Sequence, residues 1–322
     1  MKNGKNLTVL FLVMLIAFVS FAQQDYNLSL YRYHLNTINP AVSGIQEVPY
    51  FNTSFRSQWS GIEGAPEIQA FSYETPTPGE RVGLGVNIVN ETVFIERQLQ
   101  SFVSFSYRVQ LTNKMNLFLG IQSGFNAYQL DAENLKLYGI EGTDPFLNNS
   151  SKINPNVGVG AYLKSNKFYL SLSAPRILKT QRFNDLDAVT ASDFVHVYFS
   201  GGAYFDINKS WQFIPSYFAR YVNFSPIALV FNASFLYQDT IDIGVEYNMD
   251  SGIGGTLMVD TGSIFSFGYA YLTTVHSAIN QFSNGNHELI VKVRLKSKEK
   301  NTPIEDIETI SDSDEAIGYN ND

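Results

Sequence analysis

The sequence predicts an all-β fold: a transmembrane, antiparallel, up-and-down β-barrel of the outer-membrane type, with about 14 strands. Three observations predict it. Apolar and polar residues alternate with a period of two through most of the chain. Charged residues are only 16% of the sequence, against roughly 25% in an ordinary soluble domain, while aromatics reach 14%, led by 25 Phe and 19 Tyr. Beyond the first residues, no apolar run approaches the ~20 residues of a membrane-spanning helix. A soluble β-sandwich shares part of this pattern but normally carries more surface charge.

The first residues read as a secretory signal. Lys2 and Lys5 form a basic start, and Leu7 to Phe18 is an apolar run of about a dozen residues. Ser20-Phe21-Ala22 then places small residues around a cut before Gln23. The run is too short to span a bilayer as a helix. No cysteine follows it to take a lipid anchor, and none occurs anywhere in the chain. Disulfides and thiolate metal sites are thereby excluded. The net charge of −8 argues against nucleic acid as a partner. Four regions result: a signal peptide at 1–22, a periplasmic N-terminal arm or lumen plug at 23–44, the barrel at 45–296, and an acidic tail at 297–322. Asn39-Pro40 breaks any regular element in the arm. The tail, with Glu305, Asp306, Glu308, Asp312, Asp314 and Glu315, reads as a solvated, disordered periplasmic segment.

The strands follow from the alternation. Leu117, Leu119, Ile121, Phe125 and Ala127 oppose Gly120, Gln122, Gly124, Asn126 and Tyr128. Val195, Val197, Phe199 and Phe205 oppose His196, Tyr198, Ser200 and Asp206. Ile241, Ile243 and Val245 oppose Asp242, Gly244 and Glu246, and Leu289, Val291 and Val293 oppose Glu288, Lys292 and Arg294. One face suits lipid and the other a polar lumen. The spans read as 49–59, 67–76, 81–91, 97–110, 115–130, 155–165, 167–175, 194–207, 210–222, 226–238, 240–248, 252–261, 263–274 and 286–296. Most are near the ~9–11 residues a tilted membrane strand requires. Every second connection is tight and rich in turn residues: Thr77-Pro78-Gly79, Thr112-Asn113-Lys114, Ser165-Asn166, Asn208-Lys209, Gln238-Asp239 and Thr261-Gly262. The two longest connections, 131–154 and 176–193, both fall at the other end. Short turns at the periplasm and long loops outside then put both termini in the periplasm, in a multi-pass protein of the cell outer membrane surrounded by its lipid.

No catalytic constellation emerges. His34, His196, His276 and His287 lack a metal-binding spacing, and no nucleophile elbow occurs. Glu246 and Glu288 each point inward, yet a strand pattern alone does not pair them. Lys292, Arg294 and Lys296 also point inward; they line a pore or an anion site, or form lumen salt bridges with Glu246 or other acids. Trp59 and Trp211 fit an interfacial aromatic girdle. The expectation is therefore a non-enzyme with no cofactor.

Several segments together resemble a known family. They are Tyr31-Arg32-Tyr33; Asn36 to Gly44, with Asn39-Pro40-Ala41 at its centre; Phe55-Arg56-Ser57-Gln58-Trp59-Ser60-Gly61; Gly64-Ala65-Pro66; Ser72-Tyr73-Glu74-Thr75-Pro76; Gly83-Leu84-Gly85-Val86; Asn90-Glu91; and His287-Glu288-Leu289. From about Gln24 to Leu295 the chain resembles the PorP/SprF family, with the SprF-like branch favoured. The resemblance implies an outer-membrane barrel of the type IX secretion system of Bacteroidota, one that helps export or anchor surface proteins. It implies as partners a secreted cargo, such as a gliding adhesin recognised through its C-terminal domain, together with the translocon and periplasmic ring or motor proteins. The acidic extension after Lys296 departs from the family pattern.

The motif also has its own physics. Gly61, Gly64 and Pro66 suit a rigid outer turn, and Arg56 and Gln58 share one strand face with Trp59 on the other. Asn39, Pro40, Ala41, Gly44, Arg56, Gln58, Trp59, Gly61, Gly64, Ala65 and Pro66 are thus candidates for two roles: fixing the seam where the first strand meets the last, or contacting cargo at that rim. A barrel this narrow, filled by side chains and the N-terminal arm, is not expected to conduct a folded protein. The alternative function is a channel or transporter for small or hydrophobic molecules.

Overall fold

The computed structural model describes residues 28–46, 48–79, 81–131, 150–181, 192–223, 225–274 and 281–295. The expectations for the signal peptide, the acidic tail, His276 and Lys296 lie outside these residues. Fourteen strands close into one antiparallel barrel: β1 (Tyr50–Ser57), β2 (Glu67–Pro76), β3 (Val82–Val93), β4 (Glu96–Thr112), β5 (Met115–Leu130), β6 (Ser150–Ser165), β7 (Phe168–Ala174), β8 (His196–Ala203, resuming at Phe205–Asp206), β9 (Trp211–Val222), β10 (Ala228–Tyr237), β11 (Ile241–Asn248), β12 (Gly252–Asp260), β13 (Phe265–Thr274) and β14 (Asn286–Arg294). Each strand pairs with the next, and β1 closes the ring on β14 with Tyr50 opposite Arg294 and Ser57 opposite His287. A two-residue ladder between Thr180–Gln181 and Ser192–Asp193 stands outside the barrel sheet.

The alternation in the sequence is the alternation of the wall. Ser54, Ser72, Glu74, Asn87, Ser104, Gln122, Glu246 and Glu288 are buried in the lumen. Their strand neighbours Phe71, Val103, Ile121, Val245 and Leu289 are exposed, and Val103, Ile121 and Val245 are each about 60% open. Apolar side chains face outward because the barrel's surroundings are hydrocarbon, where a lysine or arginine at mid-depth costs about 2–4 kcal/mol. The six tight connections all lie at one end, called here the short-turn end, where β1 begins and β14 finishes. β5 ends and β6 begins, and β7 ends and β8 begins, at the opposite, long-loop end.

Apart from the start of β6, every strand end falls within two residues of the sequence pattern, and two of the shifts have a local cause. β1 stops at Ser57 rather than at 59, because Trp59 adopts φ 50° and its amide N–H donates to Asn286 Oδ1 at 2.9 Å. Gln58 and Trp59 therefore do not continue the alternation that Arg56 obeys. β6 begins at Ser150 rather than 155, taking in Asn154-Pro155. Proline is tolerated there because β7 pairs with β6 only as far as Val159. Past that point the edge on which Val157 accepts a bond from Ile177 is free of a strand, and Pro155 shares its parity.

Residues 28–45 lie inside the barrel. Ser29 sits near the long-loop end, beside Arg56, Glu246 and Glu288. The chain then descends through three 3-10 turns, Tyr31–Tyr33, Leu35–Thr37 and Pro40–Val42, to Gly44 beside Glu74 near the short-turn end. Its apolar side Leu28, Tyr31, Leu35, Ile38, Ala41 and Val42 packs on Phe118, Tyr162, Tyr169, Tyr198, Phe218 and Val230 of the wall. Lumen-facing aromatics thus gain an apolar partner that a water-filled pore would deny them.

Candidate functional site: the lumen plug and the seam rim

The Asn-Pro-Ala segment is the corner on which the plug is seated. Pro40 opens a 3-10 turn, where its missing N–H is no loss, and Asn39 caps that turn by accepting from the Ala41 N–H at 2.9 Å. The same amide donates from Nδ2 to the Ala161 carbonyl at 3.1 Å and to Ser171 Oγ at 2.8 Å. Asn39 is fully buried, so all of its bonds are made to protein. The wall opposite is stripped of side chains to admit it. A Cβ on Gly160 would stand 1.9 Å from Asn39 Oδ1, and one on Gly120 would stand 2.2 Å from the Ala41 nitrogen. Ser43 continues the seat, with its Oγ 2.6 Å from Ser104 Oγ and its carbonyl accepting from Ser106 at 2.5 Å. Gly44 turns the chain out at φ +68°, and its N–H donates to Glu74 at 3.2 Å.

The aromatic-basic triplet anchors the other wall. Arg32 forms an ion pair with Asp242 and donates to Ser234 Oγ at 3.1 Å. The Tyr33 hydroxyl donates to the same carboxylate at 2.5 Å, and Tyr31 donates to Ser216 at 3.1 Å. His34 lies between Ser54 and Ser72, with its ring nitrogens 3.1 and 3.3 Å from their hydroxyls. Burial, with a smaller push from the Lys292 charge, drives its pKa down to about 3, so the imidazole is neutral at pH 7. Asn36 offers its carbonyl to Asn87 at 2.9 Å.

At the seam, Arg56 and Glu288 are cross-strand partners on β1 and β14, 3.0 Å apart and both buried. Ser29 of the plug closes the cluster. Its N–H donates to Glu288 at 2.7 Å, its hydroxyl donates to Glu246 at 3.1 Å, and Arg56 donates to that hydroxyl at 3.2 Å. The two carboxylates left unpaired by the strand pattern are therefore joined through a plug residue. Arg294 instead pairs with Asp260, and Lys292 lies over the Tyr50 ring at 4.1 Å. Neither reaches Glu246, which stands near the other end of the barrel.

The remaining motif residues build the rim above that seam. Gln58 donates its N–H to the Pro66 carbonyl at 2.9 Å, and the Ala65 N–H reaches Ile62 at 3.3 Å. Gly61 at φ +95° lies against Asn284, and Gly64 at φ +74° lies against the Phe94 ring. The loop thus knits the β3–β4 turn to the segment before β14 and leaves Phe94 and Phe282 strongly exposed beside it. Trp211 lies at the short-turn end, 4.8 Å from Tyr237. Sequence reading missed Ser29, Glu74 and Asp242 as plug anchors, and no spacing along the chain could have joined them.

Among the described residues no three His, Cys, Asp or Glu side chains are placed to hold a metal. A comparison with curated proteins finds no match. Solved structures resembling the chain are membrane barrels. They include the toluene transporter TodX of Pseudomonas putida (11% identity, 82% of this chain and 94% of that one, TM-score 0.49). A FadL homologue of Pseudomonas aeruginosa (11% identity, 79% and 92%, TM-score 0.42) and the KdgM porin (9% identity, 77% and 99%, TM-score 0.36) are further examples. Residues 20–293 match the family described as type IX secretion system membrane protein PorP/SprF, which is nearly the whole described barrel and its plug. The chain belongs to that family.

Proposed function

We propose that this barrel is a non-enzymatic subunit that serves the export or surface attachment of particular type IX cargo, such as gliding adhesins bearing a C-terminal sorting domain. The observation that carries the reading is the occupied lumen. Residues 28–45 run along its interior and are bonded to the wall at Ser171, Glu74, Asp242 and Glu288. A barrel so filled offers partners its rim and turns rather than a passage. The rim loop of Trp59, Gly61, Gly64, Ala65 and Pro66, flanked by exposed Phe94 and Phe282, is the surface proposed to meet cargo. The short-turn end, facing the periplasm, is proposed to meet ring and motor components. The chain enters the membrane after removal of residues 1–22.

Deleting the gene and scoring the surface display of each type IX cargo with impermeant label tests this. Loss of one or a few cargo proteins is expected, with restoration by the wild-type chain but not by one lacking residues 59–65. Undiminished display of every cargo would sink the proposal. The channel reading is tested separately by comparing conductance with and without residues 28–45.

A further inference from the structure

The lipid-facing wall is not uniform. Across β7 to β10, Phe168, Ala203, Pro215 and Ala233 occupy successive positions of one outward row. Three of these four are small or cyclic. The row nearer the long loops carries Leu170, Tyr217 and Phe231; the row nearer the short turns carries Phe205, Phe213 and Phe235. Pro215 has no N–H, and the β8–β9 ladder is interrupted opposite it, between Ala203 and Phe205. The result is an almost wholly apolar cavity of about 460 Å³ sunk into the wall, lined by Phe168, Leu170, Ala203, Phe205, Tyr217 and Phe231. Tyr169 and Gly202 also line it, and on the lumen side the buried Tyr169 ring lies over Gly202.

What stands beneath the cavity gives it a polarity. The two neighbouring short turns each present an exposed lysine, Lys167 between β6 and β7 and Lys209 between β8 and β9. The first of these turns is tied to the cavity wall, since the Lys167 carbonyl accepts from the Tyr204 N–H at 2.8 Å. Of the acidic groups nearby, Asp206 accepts a bond from Gln212 at 2.8 Å and keeps its charge, so the two lysines outnumber it in these turns, and Asp239 lies one turn further round. Two cations at the membrane boundary below an apolar slot on the hydrocarbon side match one chemistry: an alkyl chain joined to an anionic headgroup.

We propose that this notch is a binding site for an anionic phospholipid of the leaflet at the short-turn end, its acyl chain in the slot and its phosphate between Lys167 and Lys209. The occupant is a lipid of the bilayer itself, because the slot opens onto the hydrocarbon and the lysines stand at the boundary below it.

The test uses the full chain extracted in mild detergent. Lipid that survives delipidation is counted by native mass spectrometry, for the wild type, for Ala203→Trp and for the double variant K167E/K209E. The wild type is expected to keep about one phospholipid per chain. Ala203→Trp, whose new ring faces lipid and fills the slot, lowers retention about tenfold, the weight of two buried methylenes. The double charge reversal removes the preference for phosphatidylglycerol over phosphatidylcholine. A phospholipid with a photoreactive acyl chain gives a reading that needs no variant: in the wild type it crosslinks to the strands carrying Leu170, Ala203 and Tyr217. Uniform crosslinking around the belt overturns the proposal. So does equal retention by wild type and Ala203→Trp, both running as folded barrels, or an acylated protein in the slot in place of phospholipid.

Discussion

At the scale of single residues, the family motif is steric before it is chemical. Asn39, Pro40 and Ala41 need a wall without side chains, and Gly160 and Gly120 supply it. Gly160→Ala forces its new Cβ into Asn39, and overpacking of this kind costs about 1–3 kcal/mol. Its thermal midpoint in detergent is expected to fall and its plug to become protease-sensitive. Gly255→Ala, whose Cβ would meet nothing nearer than 3.9 Å, is expected to leave both unchanged. His34 makes a second prediction. Above the ordinary histidine pKa of about 6.5 the imidazole is neutral whether the chain is folded or unfolded, and His34 contributes no pH dependence. Below it the unfolded chain takes up a proton that the folded chain refuses until about pH 3. The His34 contribution to stability therefore falls on acidification through that window, by at most about 1.4 kcal/mol per pH unit. Thermal midpoints of wild type and His34→Gln between pH 7 and pH 4 should diverge, with the wild type losing more; parallel curves would exclude the mechanism.

At the scale of elements, the plug and the seam support each other. β1 and β14 meet through an ordinary antiparallel ladder, but their Arg56–Glu288 pair is buried and completed by Ser29 of the plug. Breaking such a pair from one side leaves two buried carboxylates without a cation, which costs about 3–5 kcal/mol. Arg56→Met should lower the thermal midpoint sharply, and Glu288→Gln on that background should recover part of the loss. Deleting residues 28–45 should turn an electrically silent barrel into a conducting one in planar bilayers. Equal conductance with and without the segment would show that the plug does not close the lumen and would favour the channel reading.

At the scale of the whole molecule, the asymmetry of the two ends is the feature a membrane reads. The long loops and the exposed Phe94 and Phe282 share one end, and the tight turns share the other. Because the chain contains no cysteine, single cysteines report orientation without background. On intact cells an impermeant maleimide is expected to label Phe282→Cys and to spare Lys114→Cys; the reverse pattern would invert the proposed topology. The chain leaves β14 at the short-turn end, whereas its first described residues, Leu28 and Ser29, lie in the long-loop half of the lumen. An epitope placed before Leu28 would show from which side that end is reached.

The local pattern carried the barrel because a strand in lipid has only two environments, and a period of two writes them directly into the sequence. Strand count, pairing order and the clustering of tight turns at one end were legible for that reason. The shifted boundaries at Trp59 and Pro155 mark where a neighbouring segment rather than the residue's own propensity set the backbone. The Asn-Pro-Ala and Arg-x-Gln-Trp segments were legible as a motif, yet their roles were not. Asn39 acts across more than a hundred residues on Gly160 and Ser171, and Ser29 joins Glu246 to Glu288 from a third element. Period and composition determine which face each strand turns to lipid. Only closure of the ring decides which inward side chains meet, because those distances depend on the register of strands far apart in the chain.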